Sequence, residues 1–291
     1  CINNLSNASY ESAGGFIPRP EVKTLVKSID KKLNRIISIV GSGGVGKTAI
    51  AEYICRYYKE NQGNPFYAIL FYTAKEKMLT AQGPVDVEPN LYDYESFIED
   101  IYGQLFPSSP KTTTLDAKQT EIYDFVDQSK GDHRCLFVID NMESPSIFKN
   151  QRLHRFLENF PRDSQIVITS RIGTTLSEEL FKINVMDDTQ AIELLKRYAR
   201  TKFNNRTAIY EMSDSDLKSL VDKVYCIPLF IKMAVGRTVE LGQNINLAFS
   251  VGGKKDKEAV DFIFSDTFAL LSQEAKLFLE CMATHKNTKI S

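Results

Sequence analysis

Residues 35–51 read Arg35-Ile-Ile-Ser-Ile-Val-Gly-Ser-Gly-Gly-Val-Gly-Lys-Thr-Ala-Ile-Ala51: an apolar run of strand length, then Gly-x4-Gly-Lys-Thr, then the start of an amphipathic helix. Strand, glycine loop and helix in that order make a phosphate-binding loop. Its glycines let the backbone turn tightly with the N–H groups inward, and the helix N-terminus adds its positive dipole end. Lys47 is expected to put a charge on the terminal phosphates and Thr48 a hydroxyl on Mg²⁺. The expected nucleotide contacts are Gly41, Ser42, Gly43, Gly44, Val45, Gly46, Lys47, Thr48 and Ala49.

Around this loop the chain alternates short apolar runs with helical patterns. The runs at 36–40, 68–72, 136–139, 165–169 and 182–185, separated by helical stretches such as 93–105, 116–128 and 151–159, predict an α/β fold. It has a five-stranded parallel sheet with helices on both faces. Pro20 opens a helix along which Val22, Leu25, Val26, Ile29 and Leu33 recur at helical spacing. Tyr92, Tyr94, Phe97 and Tyr102 fall on one helical face. Beyond residue 186 the pattern is helical only, at 189–198, 213–224 and after Pro228, with a last helix capped by Ser272. The polar residues 1–15 read as a linker, 16–186 as the sheet domain and 187–250 as a small helical domain. Residues 251–291 read as a second linker, around 252–257, and the start of another domain. Beginning at Cys1 and ending at Ser291 just past a helical pattern, the chain is expected to be a fragment of something longer.

With 36 Lys+Arg against 37 Asp+Glu in 291 residues, no global field favours nucleic acid or an anionic membrane. The five cysteines, Cys1, Cys55, Cys135, Cys226 and Cys281, form no Cys-x-x-Cys pair and read as reduced thiols of a cytoplasmic protein. No apolar run is long enough to span a bilayer. His133, His154 and His285 read as surface residues, and no metalloenzyme cluster or Ser/Cys–His nucleophile is evident.

A phosphate loop needs an acid to hold its metal. Cys135-Leu-Phe-Val-Ile-Asp140 is a buried-strand run that delivers Asp140 to the carboxyl edge of the sheet, where ligands bind in open α/β folds. Asp140 and Thr48 are the candidate metal residues. Gln165-Ile-Val-Ile-Thr-Ser-Arg171 brings Arg171 to the same edge, where a guanidinium stabilises terminal-phosphate charge. Asn141 follows the aspartate where an acid would serve as base, and an amide cannot take a proton from water. Two residues on, Glu143 is a candidate for orienting or deprotonating water, or equally a cap for the following helix.

Together these stretches resemble the STAND class of P-loop ATPases, and within it the NB-ARC or AP-ATPase group, over residues 16–285. Phe16-Ile-Pro-Arg-Pro-Glu21 is similar to the family segment that lies over adenine, with Ile17 and Arg19 in the matching positions and Pro18 in place of a glycine. Residues 41–48 match Walker A, 136–141 match Walker B, and Ile168-Thr-Ser-Arg171 matches the segment whose arginine meets the γ-phosphate. Cys226-Ile-Pro-Leu229 resembles the Gly-x-Pro-Leu motif, which implies that Pro228 contacts base or ribose, with Cys226 standing where the family has glycine. His285 does not correspond to the family's histidine motif. The resemblance implies ATP or ADP with Mg²⁺ as cofactors and slow hydrolysis. It also implies a switch that is closed with ADP and open with ATP, homo-oligomerises when activated, and serves effector and sensor domains outside this segment, in defence or cell death. A steadily cycling ATPase of the AAA+ or transport type, or a DNA-binding regulator, are the alternatives. The truncated last domain is expected to be a winged helix.

Overall fold

The computed structural model describes residues 1–5, 15–107, 114–128, 133–203, 208–250, 268 and 271–284. Its centre is a six-stranded, all-parallel sheet built from β1 (Ile2–Asn3), β2 (Ile36–Val40), β3 (Ala68–Thr73), β6 (Cys135–Asp140), β7 (Gln165–Ser170) and β8 (Glu179–Lys182), in spatial order β1-β3-β6-β7-β2-β8. Alternation along the strands explains why both faces are covered. Ile37, Ile39, Leu136, Val138 and Val167 point to one face, where α1 (Pro20–Asp30) and α2 (Lys47–Glu60) pack on them. Ile36, Phe137, Ile139, Ile166 and Ile168 point to the other, against α3 (Tyr94–Leu105), α4 (Leu115–Asp127) and α6 (Gln151–Asn159). Period two with apolar residues at every position is what a strand buried on both sides requires. A short helix α5 (Pro145–Phe148) follows β6.

The helical unit comprises α7 (Asp188–Phe203), α8 (Asp214–Lys223), α9 (Pro228–Glu240) and α10 (Ile245–Ala248). It has its own core, in which Leu195, Leu217, Val221, Ile231 and Phe249 are buried together with Ile17. Ser213 caps α8 by accepting from the Asp216 N–H at 3.2 Å. Ser272 caps α11 (Gln273–Thr284) in the same way, accepting from the Ala275 N–H at 3.2 Å.

Several expectations are corrected. Residues 1–15 are not a linker throughout: Ile2 and Asn3 pair with Ala68 and Ile69 to extend the sheet, and Asn4 makes paired hydrogen bonds with the Phe71 backbone. The last strand runs over 179–182 rather than 182–185. It is an edge strand with Leu180 exposed, so it lacks the apolar run that marked the others. Leu33 lies outside α1, because the chain turns at Lys32 with φ 51°, and it is exposed. Tyr92 precedes the Asp93 N-cap and is exposed, whereas Tyr94, Phe97 and Tyr102 are buried as expected. His133 is half-buried, its ring stacked on Phe125 at 4.0 Å; His154 is also half-buried, and burial lowers its pKa. His285 and the second linker lie outside the described residues. A hairpin of β4 (Lys77–Thr80) and β5 (Gly83–Asp86), unforeseen in the sequence, projects after β3 and packs on α9.

Candidate nucleotide site

Parallel register aligns the strand ends that build the site. Thr73 stands opposite Asp140, and β2 ends beside β7 with Val40 opposite Ser170, so the loop after β2 emerges next to both. That loop needs its glycines for separate reasons. Gly44 and Gly46 have φ 79° and 102°, which side chains rarely adopt. At Gly41 an added Cβ would lie 2.4 Å from the Ile183 carbonyl oxygen, so that glycine admits the chain leaving β8.

Lys47 folds back over the loop, its ammonium donating to the Gly41 and Ser42 carbonyls at 2.8 and 3.0 Å. Burial lowers its pKa to about 8, against the opposing pull of the Glu143 carboxylate. Thr48 donates to Asp140 Oδ1 at 2.8 Å, Thr169 to the same oxygen at 2.6 Å, and Thr73 to Oδ2 at 3.0 Å. Asp140 is thus a buried carboxylate ringed by three hydroxyls. Thr73 was not anticipated from the sequence; its place at the end of an apolar run beside the Asp140 strand was the available sign, but strand order was needed to use it. Hydroxyl and carboxylate oxygens suit a hard cation such as Mg²⁺.

Arg171 Nε lies 3.1 Å from Glu143 Oε1. Glu143 is therefore engaged by the arginine instead of capping α5, and burial raises its pKa while Lys47 and Arg171 oppose the rise. Asn141 adopts φ 64° and donates its amide to Ser144 Oγ, which in turn donates to the Ala74 carbonyl. Arg19 is buried and donates to the Val45 carbonyl at 3.0 Å and the Asn184 carbonyl at 2.8 Å, tying the segment before α1 to the loop and to the exit from β8.

These parts surround a cavity of about 620 Å³, a size that suits a small organic ligand. Of the anticipated residues, Gly43 to Ala49, Ile17, Arg19, Glu143, Arg171 and Pro228 line it; Gly41 and Ser42 support it through their carbonyls, and Asp140 through Thr48. Met186 and Leu194 join Ile17 at its apolar part, and Glu52, Lys75 and Lys232 line it without having been anticipated. The helical unit closes one side, where the Leu229 N–H donates to the Gly44 carbonyl at 3.2 Å.

A profile of the NB-ARC domain matches residues 21–204, well over half of the chain. The chain belongs to the NB-ARC family. NB-ARC proteins are P-loop NTPases of the AP-ATPase type, so the chain is a member of a nucleotide-binding P-loop ATPase family. Among solved structures, domain III of the Thermotoga maritima replication initiation protein DnaA aligns with 14% identity and a TM-score of 0.50 over 89% of this chain and 99% of that one. The Aeropyrum pernix ORC2 protein aligns with 14% identity and a TM-score of 0.53 over 88% and 73%. A STAND protein with a tetratricopeptide repeat sensor from Pyrococcus horikoshii aligns with 17% identity and a TM-score of 0.41 over 96% of this chain and 36% of that one. At these identities the first two likenesses establish that this NB-ARC chain shares their fold. No curated protein matches the chain. Among the described residues, no helix is long and apolar enough to cross a membrane.

Proposed function

We propose that this NB-ARC chain is an ATP/ADP-dependent switch of the STAND class, in which the identity of the nucleotide sets how firmly the helical unit closes on the sheet domain. The observation that carries the proposal is the direct contact of α9 with the phosphate loop: the Leu229 N–H on the Gly44 carbonyl, and Pro228 lining the same cavity as Lys47 and Arg171. A ligand in that cavity touches both units and so couples them.

In this reading the loop N–H groups and Lys47 hold the phosphates, Ile17 and Pro228 bound the base and ribose, and Arg19 fixes the segment carrying Ile17 against the loop. Thr48 and Asp140 would hold Mg²⁺, which when bound supplies charge neutralisation at the phosphate oxygens. Arg171 meets the terminal phosphate and Glu143 orients or deprotonates water, a role slowed by its pairing with Arg171. Hydrolysis is then slow, well below the ~1–100 s⁻¹ of kinases. The activated form homo-oligomerises and acts on effector and sensor domains beyond this segment, in a cytoplasmic setting such as defence or cell death.

Pro228→Ala should weaken ADP more than a non-hydrolysable ATP analogue, and Arg171→Ala should do the reverse. Moving such an equilibrium from 1:99 to 99:1 takes about 5.5 kcal/mol of differential affinity, more than one proline contact supplies, so a partial shift is expected. Small-angle scattering with each nucleotide reads it. Identical profiles together with equal affinity losses would leave a P-loop ATPase without this switch, and rapid steady turnover would favour a cycling motor.

A further inference from the structure

We propose that Lys232 is a second phosphate-contacting cation of the site, carried on α9 and not on the phosphate loop, so that the helical unit itself reads the anionic end of the ligand. This rests on the nucleotide-binding reading of the cavity and assigns it one further binding residue.

Lys232 lies one helical turn after Pro228, and the two share the face of α9 that lines the cavity. Among the described residues no carbonyl or carboxylate accepts a hydrogen bond from its ammonium. What stabilises it is the ring of Tyr198, whose centroid is 5.6 Å away, and, at longer range, the carboxyl of Glu52. Burial accordingly lowers the pKa of the lysine. A cation drawn out of water without an acceptor, at the edge of a cavity floored by a phosphate loop, is satisfied by an anionic oxygen entering that cavity.

Its place within the cavity follows from α9: Leu229, three positions before Lys232, donates its N–H to the Gly44 carbonyl, so the first turns of α9 stand against the phosphate loop. Lys232 lines the cavity together with Lys47, Thr48 and Glu52, the last on α2 four positions after Thr48.

The β4–β5 hairpin positions the ammonium by gripping α9 over the turns that follow it. Met233 packs on Leu79, and Gln82 donates to Glu240 at 2.8 Å. Gly236 admits the hairpin so closely that an added Cβ would stand 2.7 Å from Ala81 Cβ. The base of the hairpin also borders the cavity through Lys75 and Lys77.

Calorimetric titration of the whole chain with adenosine, ADP and a non-hydrolysable ATP analogue, each with Mg²⁺, tests the assignment. Native protein that binds both nucleotides, with Lys47→Ala that does not, establishes the underlying site; failure of the native protein to bind overturns both readings. Given that site, Lys232→Met should weaken ADP and the analogue about tenfold while leaving adenosine unchanged, and Lys232→Arg should retain affinity. Glu52→Gln should leave nucleotide affinity unchanged or tighten it, because it removes a carboxyl from the phosphate end. Gly236→Leu, shown to be folded by circular dichroism, should reproduce the selective loss of Lys232→Met by lifting α9 off the hairpin. Unchanged nucleotide affinity in Lys232→Met, an equal loss for adenosine, or a parallel loss in Glu52→Gln would overturn the proposal, the last by making Lys232 a partner of Glu52 alone.

Discussion

Arg171 and Glu143 form an ion pair, Nε to Oε1 at 3.1 Å, with side chains only 8% and 1% exposed. The second carboxylate oxygen of Glu143 is buried without a hydrogen-bond partner. The arginine read as meeting a terminal phosphate and the glutamate read as acting on water are thus held to one another. Drawing Arg171 toward an anion removes a charge that opposes protonation of Glu143, whose pKa burial already raises, and a carboxylate so released is a stronger base.

The pair is therefore expected to be energetically coupled. Arg171→Leu leaves Glu143 buried with one fewer compensating charge and should destabilise the fold by about 3 kcal/mol, whereas Arg171→Leu with Glu143→Leu should recover much of that loss. Urea unfolding of the native protein, both single variants and the double variant measures the coupling, and additive losses would show that the two side chains act independently. In turnover assays Glu143→Gln should lower the rate more than the affinity; an unchanged rate would confine Glu143 to a stabilising role.

Lys47 makes stability depend on pH even without ligand. Burial lowers the pKa of its ammonium to about 8 in the folded chain, from the 10.5 ordinary for a lysine. Between those values the unfolded chain holds more protons, so this group's contribution to stability rises with pH across the window and is constant below it. The stability difference between native protein and Lys47→Met should accordingly move in the native protein's favour from pH 8 to 10.5. A difference that stays flat would mean that the ammonium is well solvated. Phosphate binding restores the charge, so nucleotide titrations above pH 8 should show proton uptake that Lys47→Met lacks.

Binding also appears in thermal stability. At a ligand concentration a hundredfold above its dissociation constant, the native chain should gain about 2.7 kcal/mol. Lys47→Ala at the same concentration should gain little, because the charge-assisted contacts to phosphate are gone. Equal thermal shifts in the two proteins would remove the phosphate loop from the binding site.

The turn before α9 stores strain that a single substitution relieves. Tyr225 and Cys226 both adopt left-handed backbone, at φ 56° and 52°. The Tyr225 side chain is 65% exposed, so Tyr225→Gly loses little packing. It should stabilise the protein by about 0.5–1 kcal/mol, the left-handed cost less the added entropy of glycine in the unfolded chain. Cys226→Gly should gain less, since the buried Cys226 side chain belongs to the core of the helical unit. Thermal denaturation reads both; destabilisation by Tyr225→Gly would show that the tyrosine ring contributes more than its exposure indicates.

What the sequence determined by itself is local. The order strand, Gly-x4-Gly-Lys-Thr, helix dictates its own geometry, because few other residues permit the positive φ at Gly44 and Gly46 or deliver a lysine and a hydroxyl at the head of a helix. The buried strands declared themselves as continuous apolar runs ending in Asp140 and Arg171, and Pro20, Pro228 and Ser272 marked helix starts. Tertiary structure alone decided the features that depend on pairing across the chain. Strand order brought Thr73 onto Asp140 from 67 residues away, and an edge position allowed β8 to form from a half-polar segment. Two residues at the start of the chain became a strand only because the edge of β3 stood open to them. Nothing local in residues 77–86 announces that their hairpin holds α9, the helix whose Lys232 lines the cavity. Period and cap chemistry are written within a few residues, whereas a hydrogen bond or ion pair between distant segments exists only once burial has brought them together.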